Sequence, residues 1–399
     1  MDHVFRVIEK IIPGDNDRLK NLLTSGKKLN IKFGVDPTGN DLHFGHAVNL
    51  WLLRHFQEMG HKVILLIGDI TAQIGDPTGM NIERPELSGS IIDKNAIKFI
   101  DQVRKILLFD DNLLSIRYNS EWYKNMNSIE FINEILRPIT ISKLIERKTF
   151  KNRLEQGISI HAHELIYQLL QGYDSVELRA DIALCGDDQL TNEGFGRYYQ
   201  EKFNMEPQYI ITTKLTPGID GEKKQSKSLG NYIGLEHTAE EKLRRIMSIP
   251  DNLIHQYFEI YTSLKDSEIK AKEDEICDQR KLKFILAEHM LKRYHENGDI
   301  KKAIESYSIT ASGGVPEDIK TFYVQRMEID LISFASDNLG MTKSHFRRLI
   351  KSNAIKLNDR IVESVECDKD GKMFVDVSAS PVLRYGKNKW CKIEQSKKC

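Results

Sequence analysis

Cysteine is scarce and scattered in this chain: five residues, at 185, 277, 367, 391 and 399, with no Cys-x-x-Cys spacing. Neither a zinc site nor a disulfide framework is expected from that pattern. Charge of one sign is missing too, since 58 Lys and Arg balance 58 Asp and Glu. Contact with nucleic acid must then come from a local patch rather than from the field of the whole protein. Long apolar runs are absent: VILLIG, at 63–68, is far too short to span a bilayer. MDHVFRVIEK lacks the pattern of a secretory signal, so a cytoplasmic protein with no membrane partner is expected. Neither GxGxxG nor GxxxxGK followed by Ser or Thr occurs, which disfavours a dehydrogenase-type dinucleotide fold and a P-loop.

What is present begins with HFGHAVNLW at 43–51 and KKQSKSLGN at 223–231. NIKFGVDPTG runs as an apolar strand into a Pro/Gly turn, and the following segment has helical apolar spacing at Val48, Leu50, Leu53 and Phe56. His43 and His46 therefore open a helix, where unpaired backbone N–H groups and the positive dipole end favour a polyphosphate. Gly45 leaves room for close approach of a nucleotide, and two imidazoles on that turn have donors for phosphoryl oxygens as charge builds. The later segment is a Gly-, Lys- and Ser-rich loop after the strand-like YIITTKL. Its Lys224, Ser226, Lys227 and Ser228 are placed to fold over the same phosphates from the opposite side. Each half alone is a weak signal; together they point to a nucleotide-triphosphate site.

Between them, strand-like KVILLIGDI, LLSIRYNS and YIITTKL alternate with helical stretches, which predicts an α/β fold with a doubly wound parallel sheet. Residues 1–29 read as amphipathic helix and loop. Four amphipathic helical segments follow between 233 and 315, and SGGVPED at 312–318 reads as a hinge. The chain is expected to divide into a catalytic domain at 1–232, a helical domain at 233–315 and a small α+β domain at 328–399. In the last, a basic helix with Arg347, Arg348 and Lys351 precedes a strand pair turning at Asn358-Asp359. From 341 onward, 14 Lys and Arg stand against 7 Asp and Glu, an excess that suits a phosphate backbone. The cluster His161, His163 and Glu164 is read as structural rather than metal-binding.

HFGH resembles the HIGH signature, and KQSKS the KMSKS signature, of class I aminoacyl-tRNA synthetases. KFGVDPTGNDLHFGH, IGDPTG, ELIYQLLQGYDSV, GDDQ and SLGNYIG, in that order, look like the tyrosyl-tRNA synthetases over nearly the whole chain. The resemblance implies a Rossmann-like catalytic domain, a helical anticodon-binding domain and an S4-like RNA-binding domain. It implies a tyrosine–tRNA ligase with ATP, accompanying Mg²⁺, L-tyrosine and tRNA(Tyr) as partners, no protein-bound metal, and a homodimer. Catalytic roles would fall to His43, His46, Lys224 and Lys227, with Thr38, Gly45, Asp188 and Ser226 also on the nucleotide. Tyrosine would meet Lys32, Gly34, Asp36, Asp76, Tyr167, Gln171, Asp174 and Gln189. Among these, Asp76, Tyr167 and Gln171 would take the ammonium and Asp174 the phenol. Positions 167, 171 and 174 share one helical face. Arg347, Arg348 and Lys351 would contact RNA.

Some positions depart from that family. Cys185, Gly186 and Asp187 stand where GGT or GGS is usual, so Asp187 adds a carboxylate beside the adenylate, unfavourable unless a cation neutralises it. Leu190 and Thr191 replace a basic and aromatic pair. Gln225 replaces the usual methionine, and Lys32 stands where other members carry a second phenol-binding tyrosine. A paralogue activating tyrosine or a related amino acid for a resistance or biosynthetic role would drift at these places. A tryptophanyl enzyme, a cytidylyltransferase and a non-catalytic RNA-binding protein account for fewer of the motifs.

Overall fold

The computed structural model describes residues 5–39, 41–76, 88–227, 229–311, 314–315, 319–363, 367–368, 371–386 and 389–396. Ser228, the PTG of IGDPTG, most of the expected hinge at 312–318 and Cys399 lie outside the described residues. The chain forms two compact units, Met1–Ile300 and Lys301–Cys399.

In the first unit the apolar runs become β1 (Ile8–Ile12), β2 (Asn30–Val35), β3 (Lys62–Ile67), β4 (Leu114–Tyr118), β5 (Ile182–Cys185) and β6 (Tyr209–Thr213). They lie in the order β1-β6-β5-β2-β3-β4. Every neighbouring pair is parallel except β1 with β6. Strands such as β3, whose residues from Val63 to Ile67 are all buried, read as continuous apolar runs because helices cover both faces of a parallel sheet. The opening segment corrects the expectation of helix and loop. VIEKII pairs with β6, Ile11 opposite Ile211, as an antiparallel edge strand, and the helix begins only at Asn16. Pairing with a strand some two hundred residues away is not written in local periodicity.

The strand order fixes where a ligand goes. The chain leaves β2 through helix Phe44–Glu58 to reach β3 on one side, whereas β5 lies on the other side of β2. Connections diverge there, so a crevice opens at the carboxyl ends of β2 and β5. Asp36 and the HFGH turn follow β2; Gly186 and Gln189 follow β5. Helix Phe44–Glu58 keeps its expected face, with Val48, Leu50, Leu53 and Phe56 all buried.

Helices Ala239–Met247, Ile254–Tyr261, Asp266–Glu275 and Gln279–Leu291 belong to the same compact unit. Tyr294, just past them, stacks on Phe44 at 5.1 Å and accepts the Trp51 indole N–H at 2.8 Å, so the HFGH helix packs directly on the helical segment.

The second unit holds a five-stranded sheet of β7 (Lys320–Val324), β9 (Ile355–Leu357), β10 (Arg360–Ile361), β12 (Val382–Tyr385) and β13 (Trp390–Gln395), in the order β10-β9-β12-β13-β7. A separate pair joins β8 (Glu328–Asp330) to β11 (Phe374–Asp376). Asn358 and Asp359 turn β9 into β10 with φ of 45° and 65°, the left-handed pair a two-residue hairpin requires. Helix Lys343–Lys351 buries Phe346 and Ile350 in a core with Leu383 and Ile393. Its Arg347, Arg348 and Lys351 are exposed.

Candidate active site

Two adjoining cavities open at the carboxyl ends of β2 and β5. The first, about 330 Å³, is lined by Thr38, Asp41, His43, His46, Lys224, Ser226 and Lys227 among others. The second, about 310 Å³, is lined by Lys32, Gly34, Asp36, Asp76, Tyr167, Gln171, Asp174 and Gln189. Phe33, Val35, Asp36 and His46 line both. The two signatures are joined through the backbone: the Phe44 N–H donates to Ile233 O at 2.8 Å and the Leu235 N–H to Leu42 O at 2.9 Å. His43 and Gly234 thereby form an antiparallel bridge.

At the head of helix Phe44–Glu58, His43 is the cap residue. Its Nδ1 accepts the Gly45 N–H at 3.1 Å, and His46 Nδ1 accepts the His43 N–H at 3.3 Å. The rings lie 4.0 Å apart. Gly45 is required because a Cβ there would meet the His43 ring at 2.9 Å and the Thr216 hydroxyl at 3.3 Å. Burial pushes the His43 imidazole down to about 3, helped by His46, Lys227 and Lys224. His46 keeps accessible surface on the cavity wall, yet crowding by protein around the ring pushes it down to about 4, with Lys227 adding to the effect. Both rings are therefore neutral near pH 7. With each Nδ1 accepting, the ring proton sits on Nε2, leaving an N–H donor that does not repel the lysines opposite. Lys227 Nζ stands 3.7 Å from Asp41.

The second cavity is built on helix Ala162–Glu177, whose Tyr167, Gln171 and Asp174 share a face as expected. Asp174 is buried and accepts the Trp122 indole N–H at 3.1 Å and the Tyr123 hydroxyl at 2.9 Å on Oδ1. Burial pushes its carboxyl up to about 7, against the pull of Lys32 and of these hydrogen bonds. Asp36 accepts from Tyr167 at 2.8 Å and from Thr71 at 2.7 Å. Lys32 is wholly buried: its ammonium reaches Glu193 at 2.8 Å, Ser175 at 2.7 Å and the Gln171 carbonyl at 3.3 Å. Gln171 Nε2 donates to the other Glu193 oxygen, and Asn192 donates to both Gln171 and Gln189. Gln189 in turn donates to Asp76 at 2.7 Å.

Thus Thr38, His43, His46, Lys224, Ser226 and Lys227 are brought to one cavity, and the eight expected tyrosine-site residues to the other. Gly45 lies beneath the His43 ring. Asp188 sits in the single turn Asp187–Gln189 after β5, outside the lining of either cavity. Arg347, Arg348 and Lys351 belong to the second unit. Two of the departures from the family pattern, Asp187 and Gln225, find partners within the protein. Lys10, on β1, pairs with Asp187 at 2.7 Å, and the Gln225 amide has a partner at each end. Sequence reasoning missed Trp122, Tyr123, Glu193, Asn192 and Ser175. Two signals were available: Trp122-Tyr123 follows a strand's carboxyl end, and Glu193 lies four residues after Gln189. Among the described residues no group of three His, Cys, Asp or Glu could hold a metal ion, and no helix is long and apolar enough to cross a membrane.

A family model for class I tRNA synthetases (W and Y) matches residues 24–311. A protein named tyrosine–tRNA ligase 2 from Clostridium acetobutylicum is 38% identical over 397 residues, covering 96% of each chain. Another of that name from Photorhabdus laumondii is 38% identical over 356 residues, 86% of this chain and 88% of that protein. Among solved structures, a C-terminally truncated mitochondrial tyrosyl-tRNA synthetase from Aspergillus nidulans superposes with a TM-score of 0.64 at 21% identity. It covers 77% of this chain and 93% of that one. A tyrosyl-tRNA synthetase from Archaeoglobus fulgidus, complexed with L-tyrosine, gives a TM-score of 0.57 at 19% identity over 76% of this chain and 98% of that one. At such identities the structural likeness speaks for the fold alone.

The depressed imidazoles have a measurable consequence. Below about pH 6.5 the unfolded chain takes up protons that folded His43 and His46 refuse until about pH 3 and 4, so stability falls as pH drops through that window. In ¹³C-histidine-labelled protein, assigned with His43→Ala and His46→Ala, both signals should titrate below pH 5. Midpoints near 6.5 would show solvated rings with unperturbed protonation.

Proposed function

The chain belongs to the class I tRNA synthetases of the tryptophan and tyrosine family and is a tyrosine–tRNA ligase; from that premise we propose how its residues divide the reaction. ATP is a substrate. An oxygen of the tyrosine carboxylate attacks the α-phosphorus, the bond to the β-phosphate oxygen breaks, and pyrophosphate leaves. The adenylate then esterifies the 3′ end of tRNA(Tyr) and AMP departs. No protein nucleophile takes part, so positioning and electrostatics carry the rate. Mg²⁺ enters with the nucleotide as part of the substrate.

His43 and His46 donate Nε2–H to phosphoryl oxygens from one side, and Lys224, Lys227 and Ser226 close on them from the other. Thr38 and Gly45 shape the nucleotide floor, and Asp188 takes the ribose. Tyrosine lies in the second cavity, its phenol donating to Asp174 and its ammonium held by Tyr167, Asp76 and Gln171. Gly34 and Asp36 line the pocket's inner wall, Gln189 positions Asp76, and Lys32 braces the phenol end through Glu193. The observation that carries this reading is the sharing of Phe33, Val35, Asp36 and His46 between the two cavities. A carboxylate in one thus adjoins a phosphate in the other. Amino-acid-dependent ATP–pyrophosphate exchange across all twenty amino acids tests it. Tyrosine should stand alone, and a different preferred amino acid would point to a specialised paralogue.

The finer organisation is proposed on the same footing. Residues 1–232 carry catalysis, 233–315 read the anticodon arm, and 328–399 form an S4-like RNA-binding domain whose exposed Arg347, Arg348 and Lys351 meet phosphates. The enzyme works in the cytoplasm. A homodimer is inferred from the family, and Ile129, Ile132, Ile141 and Leu154, exposed by 66, 45, 72 and 50%, are the side chains proposed to meet the partner.

Three outcomes follow. Asp174→Ala should erode the preference for tyrosine over phenylalanine in kcat/KM by about 1–3 kcal/mol, the cost of an unmade buried hydrogen bond. Tyrosyl-tRNA synthetases are a known example of this logic, in which a hydrogen-bonding site rejects the analogue lacking the hydroxyl. An unchanged ratio would place the phenol elsewhere. Deleting 328–399 should preserve pyrophosphate exchange and sharply reduce tRNA charging, whereas full-rate charging would remove the RNA role of that segment. Ile132→Asp with Ile141→Asp should shift the protein from dimer to monomer in sedimentation equilibrium; a wild-type monomer would end the dimer reading.

A further inference from the structure

Gln225 stands where an apolar residue is usual, yet it is only 5% exposed. A buried amide is costly unless each end is bonded. Here both are: Nε2 donates to the Tyr261 hydroxyl at 2.8 Å, and Oε1 accepts the Ile233 N–H at 3.2 Å. The partners form a closed circuit. The Gln225 N–H donates to Thr216 O at 3.3 Å, and the Thr216 hydroxyl hydrogen-bonds the same Tyr261 phenol. Thr216 begins the loop that carries Lys224 and Lys227, and Ile233 ends it. Ile233 O also receives the Phe44 N–H, and the Phe44 ring lies 5.4 Å from Tyr261. The Gln225 side chain therefore ties the Ile233 stem of the lysine loop to helix Ile254–Tyr261, its backbone N–H holds the Thr216 stem, and the Ile233 carbonyl carries the tie on to the HFGH turn. Gln225 lines the nucleotide cavity together with Lys224, Ser226 and Lys227.

We propose that Gln225 is a positioning residue for tyrosine activation, holding the 224–227 loop in register over the nucleotide through its paired hydrogen bonds to Tyr261 and Ile233. This rests on the tyrosine-activating function set out above. An apolar side chain at this position packs without direction and leaves the loop free to slide. The amide has two directed bonds, and fixes where Lys224 and Lys227 stand before ATP arrives. Tyr261, on a helix outside the cavity lining, thereby becomes part of the same device. Because the lysines act on charge that develops during displacement, loss of register should lower kcat for adenylate formation while leaving tyrosine binding alone.

The test is tyrosine-dependent pyrophosphate exchange on full-length protein, normalised by active-site titration, for wild type, Gln225→Leu, Tyr261→Phe and the double variant, with a thermal melt of each. Gln225→Leu should lower kcat by roughly 10-fold or more, with tyrosine KM within about twofold of wild type. Tyr261→Phe should move kcat the same way by less, and the double variant should be no worse than Gln225→Leu, because both break one circuit. Gln225→Asn, too short to span both partners, should not restore the rate. Lowered melting temperatures with unchanged kcat per active site, or fully additive losses, would overturn the proposal. Should Gln225→Leu fail to fold, the gentler Tyr261→Phe decides by the same kcat criterion. A wild type without tyrosine-dependent exchange would overturn the parent function and this proposal with it. An active wild type with unaltered variants overturns this proposal alone.

Discussion

The pairing of Leu42–Phe44 with Ile233–Leu235 is the constraint on which the rest of the site depends. Two backbone hydrogen bonds, Phe44 to Ile233 and Leu235 to Leu42, join segments some 190 residues apart. Loop-closure entropy grows only slowly with length, by about 0.6 kcal/mol per doubling, so the separation in sequence is a small obstacle once neighbouring cores are formed. Phe44, Leu42, Ile233 and Leu235 are all buried, and Phe44 is held between Tyr261 and Tyr294. Apolar burial thus seats the ladder, and the ladder brings the lysine loop opposite the two imidazoles. The backbone pairing is what makes the distance between the two signatures a property of the fold.

Electrostatics in the nucleotide cavity follow from that placement. Two lysines facing two histidines would repel if all four were charged. Burial and the lysines together hold His43 and His46 neutral, so the positive charge is concentrated on the loop and the helix end supplies N–H donors. Acidic neighbours temper the excess: Asp41 stands by Lys227, and Asp187 is matched by Lys10 from the edge strand. Both pairs are partly exposed, where such contacts contribute little to stability. Their role in this arrangement is to set local charge, which is why an extra carboxylate is tolerated after β5, where Gly186 and Gln189 line the second cavity.

How much of this was legible in the sequence depended on whether the information was local. Helix Phe44–Glu58, the shared face of Tyr167, Gln171 and Asp174, the hairpin at Asn358-Asp359 and the parallel sheet all follow from spacing and turn chemistry within a few residues. β1 did not, because its partner β6 lies far along the chain and VIEKII satisfies a helical turn as well as an edge strand. The role of Gln225 was hidden for the same reason: a glutamine in a lysine-rich loop reads as solvated, and only Tyr261 and Ile233, distant and next door in sequence respectively, make it a buried tie. Lys10 and Asp187 form a pair that no motif announces. Motifs reported which residues gather; packing decided how each is held.

The amino-acid cavity shows what that holding accomplishes. Along it runs one connected set of side chains: Lys32 to Glu193, Glu193 to Gln171, Gln171 through Asn192 to Gln189, and Gln189 to Asp76. Arg147 adds a further bond to Asn192 at 3.1 Å. A buried polar network is stabilising only when each member finds its partners, and then it is stiff, since moving one group strands the next. Removing either partner of the buried Lys32–Glu193 pair would leave the other charge uncompensated, at a cost of about 3–5 kcal/mol. Groups that are to meet the substrate are thereby fixed before it binds, and less binding energy is lost to ordering them. A pocket fixed in this way discriminates by what a wrong amino acid leaves unpaired. On the proposed reading, for phenylalanine that is the Asp174 carboxyl group.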